Sequence, residues 1–374
     1  MTAIAFEAER WYADKGRPVA GVERLDGLRG LEIVRVHFVD GDEALYALVP
    51  EHPGWSELLA DADGRFSCDG RPPAGAEERL PVDQSHTSWR VGDAYVKCYR
   101  RLTAGINPEV ELLRVLTAHG FQHAPAYRGS LHWESPTGEA FSIAVVTDFV
   151  ARAQEGWEWA AELAIAGDAS FAAELGALAR GMHETLAAAL PSRTATPADT
   201  EAWHRSAEEL LERALALAPE LGPHQARVRR ELAGLATPPD PPVLARVHGD
   251  LHVGQFLRAD GRFVIVDFEG QPGKTAAERR APDTQLRDLA SLARSLDHAG
   301  RYAVKRRGAD PARTEAWVGA ARSGLLSGYG DCDAALLRAL EWERAVYEFM
   351  YAATYLPQWM YAPRGGLNAL LQGP

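Results

Sequence analysis

Cysteine is scarce in this chain. Cys68, Cys98 and Cys332 are odd in number, far apart and outside CxxC spacing. That argues against a disulfide framework or a zinc ribbon and fits a reducing cytoplasm. Positive charge is also short: 40 Lys and Arg face 52 Asp and Glu, for a formal net charge of -12. Nucleic acid and anionic membrane are therefore poor main partners. No apolar run is long enough to span a membrane. Met1 to Arg10 carries two glutamates and no apolar core, so it does not read as a secretory signal. GxSxG and GxGxxG elements are missing too, which leaves hydrolase and dinucleotide chemistry without support.

What is present is ordinary in bulk and unusual in pattern. At 374 residues, with 46% hydrophobic and 25% charged residues, the chain is long enough for two or three domains or one two-lobed enzyme. The first half reads as strands. Leu31 to Val39 and Glu43 to Val49 flank Asp40-Gly41-Asp42, a hairpin signal. Trp89 to Val91 and Ala94 to Tyr99 flank Gly92-Asp93, a second hairpin, and Asp61 to Ala76 between the two reads as loops. Asn107 to His119 reads as a helix, with Val110, Leu113 and Leu116 on one face. Phe141 to Val146 is an apolar strand entering Thr147-Asp148-Phe149-Val150.

The second half reads as helices over Phe171 to Leu190, Thr200 to Leu235, Leu286 to Ala299 and Pro311 to Tyr355. A proline-rich break, Thr237 to Pro242, precedes a strand at Val243 to Val247. The expected division is a cap over residues 1–80, the rest of a nucleotide-binding lobe over 81–150, and a helical lobe over 151–374, with a cleft between the lobes.

The chemistry concentrates in His248-Gly249-Asp250-Leu251-His252-Val253-Gly254-Gln255 and Val264-Ile265-Val266-Asp267-Phe268-Glu269. One acid lies on a tight turn, an amide follows five residues later, and a second acid closes an apolar run. Phosphoryl transfer from a nucleotide needs that set. Asp250 is the candidate catalytic base, orienting an acceptor hydroxyl and finally taking its proton; positioning should outweigh early abstraction, because an aspartate is a weak base. Asp267 and Gln255 are assigned to Mg²⁺, a hard cation that prefers oxygen. Glu269 is either a ligand of a second Mg²⁺ or a solvated carboxylate.

Lys97, in the strand Tyr95 to Tyr99, either blunts a sheet edge or bridges nucleotide phosphates, held by an acid on the next helix. Only one of Glu109 and Glu111 can face it, and Glu111 is favoured. Ser85, Thr87 and Ser88 offer hydroxyls where a phosphate-covering loop would lie. Asp148 and Val150 are assigned to the nucleotide as well. For the acceptor, the candidates are Asp250, His252, Asp288, Trp342, Glu343 and Tyr347. Arg287 and Asp288 either brace the catalytic loop or belong to a capped amphipathic helix.

Two competing motifs fail. Gly270 to Thr275 ends like a P-loop, but Phe268 stands where that motif needs glycine. His248 and His252 have the spacing of zinc ligands on a helix, yet Gly249 lies between them and no third ligand is evident. His248 is expected to brace the loop instead.

These motifs resemble the aminoglycoside phosphotransferase-like kinases, and more closely the actinobacterial maltokinases and maltokinase-like glucosamine kinases. His248-Gly249-Asp250-Leu251-His252 with Gln255 is similar to their catalytic loop, although the wider superfamily often has Asn at the amide position. Asp267-Phe268-Glu269 resembles their metal element. Lys97 to Arg101 with Asn107 to Glu111 is similar to their lysine strand and following helix, and Glu278 to Asp288 adds a further likeness. The resemblance runs from about residue 80 to the C-terminus; no motif matches before it. It implies an α+β, bilobal protein-kinase-like fold with a strand-rich N-lobe, an N-terminal cap and a helical C-lobe. It also implies ATP, Mg²⁺ and a sugar acceptor in the cytoplasm. Glucosamine, phosphorylated at its 6-hydroxyl, is favoured over maltose phosphorylated at its anomeric hydroxyl, with other amino sugars and aminoglycosides third. Part of that preference rests on the carboxylates of the late helix, which could hold an ammonium group.

Overall fold

A computed structural model describes Glu9, residues 11–81 and residues 86–372. The chain divides into two compact units: Met1–Ala151 with Lys274–Glu278, and Arg152–Gly273 with Arg279–Pro374.

The first unit is sheet-rich. Its elements are β1 (Val19–Leu28), β2 (Leu31–Phe38), β3 (Glu43–Leu48), α1 (Trp55–Ala60), β4 (Phe66–Gly70), β5 (Glu77–Arg79), β6 (His86–Val91), β7 (Ala94–Tyr99), β8 (Arg101–Leu102), α2 (Pro108–Ala118), β9 (Tyr127–Glu134) and β10 (Ala140–Asp148). An antiparallel sheet in the order β1-β2-β3-β8 covers a core of Tyr12, Val34, Val36, Phe38 and Tyr46. A second antiparallel sheet runs β4-β9-β10-β7-β6-β5. Both expected hairpins are present. The segment expected to be loops contributes β4, because Phe66 is buried and pairs with Trp133 on β9. The alternation that would mark β4 is too short to see in sequence.

The second unit is helical. It contains α3 (Gly156–Ala166), α4 (Ala172–Ala189), β11 (Arg193–Thr194), α5 (Pro197–Leu217), α6 (Gln225–Leu232), β12 (Val243–Ala245), β13 (Phe256–Ala259) and β14 (Arg262–Ile265). The boundary between units falls within α7 (Ala276–Arg280); then come β15 (Asp283–Thr284), α8 (Leu286–Arg307), α9 (Pro311–Tyr329), α10 (Ala334–Tyr355) and α11 (Tyr361–Gln372).

Two expected helices are each split. Pro219 and Pro223 turn the chain through a 3-10 segment between α5 and α6, since proline offers no backbone N–H to continue the ladder. Gly330, at φ 87°, ends α9, and Asp333 starts α10 by accepting from the N–H groups of Ala335 and Leu336. α8 lies at the centre of the unit, packed on α3, α9, α10 and α11, with most of its first four turns buried. Among the described residues, no helix is long and apolar enough to cross a membrane.

Candidate active site

In the second unit, the turn after β12 carries Asp250. Gly249 adopts φ 84°, a left-handed conformation that side chains with a Cβ resist, and a Cβ there would lie 3.3 Å from Gly270 Cα. The turn is then fixed from α8. Asp288, 1% exposed, accepts the N–H of His248 at 2.8 Å and that of Gly249 at 2.9 Å. His183 on α4 donates its Nε2 proton to the same carboxylate at 3.1 Å, and its Nδ1 lies 3.0 Å from the Tyr329 hydroxyl. Burial alone would raise the Asp288 pKa, but His183 and the loop N–H groups outweigh it and hold the carboxyl below the usual range. His248 reaches the Val266 carbonyl at 3.0 Å and accepts the Asp250 N–H at 3.3 Å. It is a brace, as its sequence context indicated, and so is Asp288, which spends both oxygens on the loop instead of reaching an acceptor.

From Asp250 a line of polar contacts leads to Asp267. His252 Nε2 lies 3.8 Å from Asp250 Oδ2, Gln255 Nε2 lies 3.5 Å from His252 Nε2, and the same amide lies 3.4 Å from Asp267 Oδ2. The β13–β14 hairpin pairs Phe256 with Ile265 and so holds Gln255 beside the residues leading to Asp267. Asp267 itself has φ 65°, rare for a side chain with a Cβ and a sign that the surroundings impose its conformation. His252 packs on Trp157, with ring centroids 5.6 Å apart, and burial pushes its pKa down to about 4. It is therefore a neutral imidazole near pH 7. The Glu269 carboxylate lies 3.9 Å from Arg279 Nη1, and its carbonyl accepts from the same nitrogen at 3.2 Å.

On α10, Arg344 reaches Asp250, with Nη2 3.4 Å from Oδ1, and its guanidinium lies over Tyr347 at 4.9 Å. Tyr347 is half-buried beside Asp250, and burial raises its pKa. Arg344 was not singled out in sequence. Its only signal was a charge on the same helical stripe as Tyr347, three residues on. Two acceptor candidates are corrected here. Trp342 is fully buried, on the core side of α10 with Ala345, Val346 and Phe349. Glu343 is held by Arg287, which also pairs with Asp283 at 2.9 Å and lies over Trp203. The other acids of α10 are likewise bound by arginine: Glu341 by Arg322 at 2.8 Å, Glu348 by Arg294 at 2.8 Å. The late-helix carboxylates are thus neutralised inside the unit, and the argument that they hold an ammonium group fails.

In the first unit, Lys97 on β7 is 2% exposed, with Nζ 3.0 Å from Glu109 Oε2. Tyr99 donates its hydroxyl to the same oxygen at 2.9 Å. The partner is Glu109, not the favoured Glu111. Two residues on a helix are separated by about 200°, so the two glutamates point to opposite sides. Glu109 is 5% exposed, in the first turn of α2, where Asn107 accepts its N–H and the helix dipole favours a negative charge. Glu111 is only half-buried.

The hydroxyl assignments are also revised. Thr87 and Ser88 are not in a loop; they are buried in β6, where Thr87 accepts from Arg100 at 2.8 Å and Ser88 pairs with the Tyr95 hydroxyl at 2.7 Å. Ser85 lies outside the described residues. Asp148, at the end of β10, forms an ion pair with Arg128, which also binds Asp93 at 2.7 Å; Val150 follows, half-buried.

A buried lysine–glutamate pair on a sheet and helix, and a braced Asp–Gln–Asp loop in a helical unit, define an α+β phosphotransferase. Residues 77–271 match the model described as "Phosphotransferase enzyme family". The chain is 36% identical over 335 residues to a glucosamine kinase of Streptacidiphilus jiangxiensis, covering 81% of this chain and 75% of that protein. It is 33% identical over 329 residues to a glucosamine kinase of Mycolicibacterium smegmatis, covering 80% of each. A solved glucosamine kinase in complex with glucosamine, ADP and inorganic phosphate superposes with a TM-score of 0.78 at 28% identity, over 98% of this chain and 96% of that one. The chain belongs to the phosphotransferase enzyme family, with the aminoglycoside phosphotransferase-like fold, and is an ATP-dependent phosphotransferase with an alcohol group as acceptor.

Proposed function

We propose that this protein is a Mg²⁺-dependent sugar kinase that transfers the γ-phosphoryl group of ATP to the 6-hydroxyl of D-glucosamine. The observation that carries the reading is the likeness, over nearly the whole chain, to a kinase solved with glucosamine and ADP. The braced Asp250 loop supplies the chemistry that such a reaction requires.

Asp250 accepts a hydrogen bond from the acceptor hydroxyl and aims its oxygen at the terminal phosphorus. The new O–P bond forms as the bond from phosphorus to the ADP oxygen breaks, and the hydroxyl proton passes to Asp250. Lys97, paired with Glu109, binds a phosphate oxygen of the nucleotide. His252 and Tyr347 border the acceptor next to Asp250. Gln255 and Asp267 suit Mg²⁺: an amide and a carboxylate, both with oxygen donors, are held side by side by the hairpin. When bound, the ion neutralises charge on the phosphates. Glu269 is a weaker candidate for a second ion, with Arg279 beside it. Asp148 and Val150 remain assigned to the nucleotide. A cytoplasmic setting, where ATP is available, fits this activity.

The test is an ADP-release assay over glucosamine, glucose, N-acetylglucosamine, maltose and an aminoglycoside, with ³¹P NMR to locate the phosphate on each product. Glucosamine should give the highest kcat/KM and a 6-phosphate. Preference for maltose, or a phosphate on an anomeric oxygen, would overturn the assignment.

A further inference from the structure

An amino sugar brings two donors to a catalytic carboxylate. One is the hydroxyl that must react. The other is an ammonium group, whose charge-assisted hydrogen bond to a carboxylate is roughly twice as strong as a neutral one. An unguarded Asp250 would therefore be captured by the amine, and the sugar would bind in a pose that cannot react. The α10 carboxylates offer the amine no ready alternative, because Glu341, Glu343 and Glu348 each carry an arginine.

Arg344 stands where such capture would occur. Its Nη2 is 3.4 Å from Asp250 Oδ1, while Asp250 Oδ2 faces His252 Nε2 at 3.8 Å. The guanidinium lies over the Tyr347 ring, 4.9 Å from its centroid, and its charge is felt at His252 and Tyr351 as well. One oxygen of the carboxylate faces a cation, and the other is left for a neutral donor.

We infer that Arg344 is a specificity-determining residue that keeps the acceptor's ammonium group off Asp250, so that a hydroxyl remote from the amine takes the productive position. This inference rests on the amino-sugar reading above. It is discrimination by repulsion: the arginine weakens one wrong pose of the correct substrate. Its cation also completes a local neutral pair with Asp250, which removes the attraction an ammonium would otherwise feel. In glucosamine the 6-hydroxyl is far from the amine at carbon 2, whereas the anomeric hydroxyl is adjacent to it, so the same repulsion favours transfer to the 6-position.

The experiment compares the wild-type chain with Arg344→Gln, Arg344→Met and Arg344→Lys. Calorimetric titration with glucosamine and with glucose needs no turnover; steady-state kinetics follow where the variant is active. Removing the charge should tighten glucosamine binding relative to glucose by about tenfold or more, the scale of one charge pair in a partly buried site. The kcat and KM for glucosamine should fall together, the signature of non-productive binding. Arg344→Lys should keep the wild-type binding ratio. Repeating the titration at a pH where the amine is neutral should abolish the difference. General damage to the site would weaken both sugars alike, and that result, or an unchanged ratio in the Gln and Met variants, would overturn the inference. Wild-type protein that releases no ADP with glucosamine would remove the amino-sugar reading and this inference with it. Wild-type turnover with an unmoved ratio would remove the inference alone.

Discussion

At the scale of single residues, the candidate site separates into groups proposed to touch reactants and groups that hold them in place. Asp250→Asn keeps the shape and the hydrogen-bonding oxygen but removes the proton acceptor. Its kcat should fall by about 10²–10⁴, the range for general-base groups, with ATP affinity nearly unchanged by equilibrium titration. Asp267→Ala should abolish Mg²⁺-dependent turnover; robust activity across a Mg²⁺ series would reassign the metal site. The lysine partner gives a sharper comparison. Glu109→Gln removes the charge facing a lysine that is 2% exposed, whereas Glu111→Gln changes a half-buried side chain on the other side of α2. The first should raise the KM for ATP and lower the melting temperature, because a buried cation loses its counter-charge. The second should leave both near wild type, and the reverse pattern would restore Glu111.

At the scale of elements, the turn that carries Asp250 is shaped by its backbone and by α8. Gly249→Ala forces a Cβ into the left-handed region against Gly270 Cα, at a cost of about 1–2 kcal/mol. Asp288→Asn replaces one of two acceptors by a donor facing a backbone N–H. It should lower stability in urea by about 1–3 kcal/mol, the desolvation penalty of one unsatisfied group. It should also lower kcat more than it raises the KM for ATP, since Lys97 is untouched. The elements themselves were unevenly legible. The β2–β3 and β6–β7 hairpins stood out because their turns hold Gly-Asp pairs between apolar runs. β4 and β9 did not, because their pairing is long-range: Phe66 meets Trp133 across 67 residues of chain. The single helices expected over 200–235 and 311–355 passed through Pro219, Pro223 and Gly330, where helical spacing of apolar residues continued but the backbone could not.

At the scale of the whole molecule, buried acids set an acid limit on stability. Burial opposes ionisation of Asp288 and Glu348, but His183 and the loop N–H groups for the first, and Arg294 and His298 for the second, hold both below the usual carboxyl range. A carboxyl depressed in the folded state stabilises above its unfolded pKa, about 4, and loses that contribution as pH falls through the folded value. Melting temperature should therefore decline steadily below about pH 4. Arg294→Met, which leaves Glu348 without its main cation, should lower the melting temperature at neutral pH and make the decline below about pH 4 shallower, because the folded carboxyl then holds its proton more readily; a decline as steep as the wild type's would show that the pair does not set the limit.

The sequence by itself singled out Asp250, Gln255 and Asp267 as candidates, because they lie within 18 residues and the structure places them on one turn and one hairpin, where local spacing carries their proximity. It also gave the lysine strand and the helix after it. Only the tertiary structure decided which glutamate meets Lys97, since that depends on which side of α2 faces the sheet, where the helix packs on β9 and β10. It alone placed Thr87 and Ser88 inside a sheet, Trp342 in the core and Glu343 against Arg287. It alone brought Arg344 to Asp250 across 94 residues of chain. Contacts between distant segments follow from how helices pack their apolar faces, and the side chains that ride on the opposite faces meet as a consequence that no local pattern encodes.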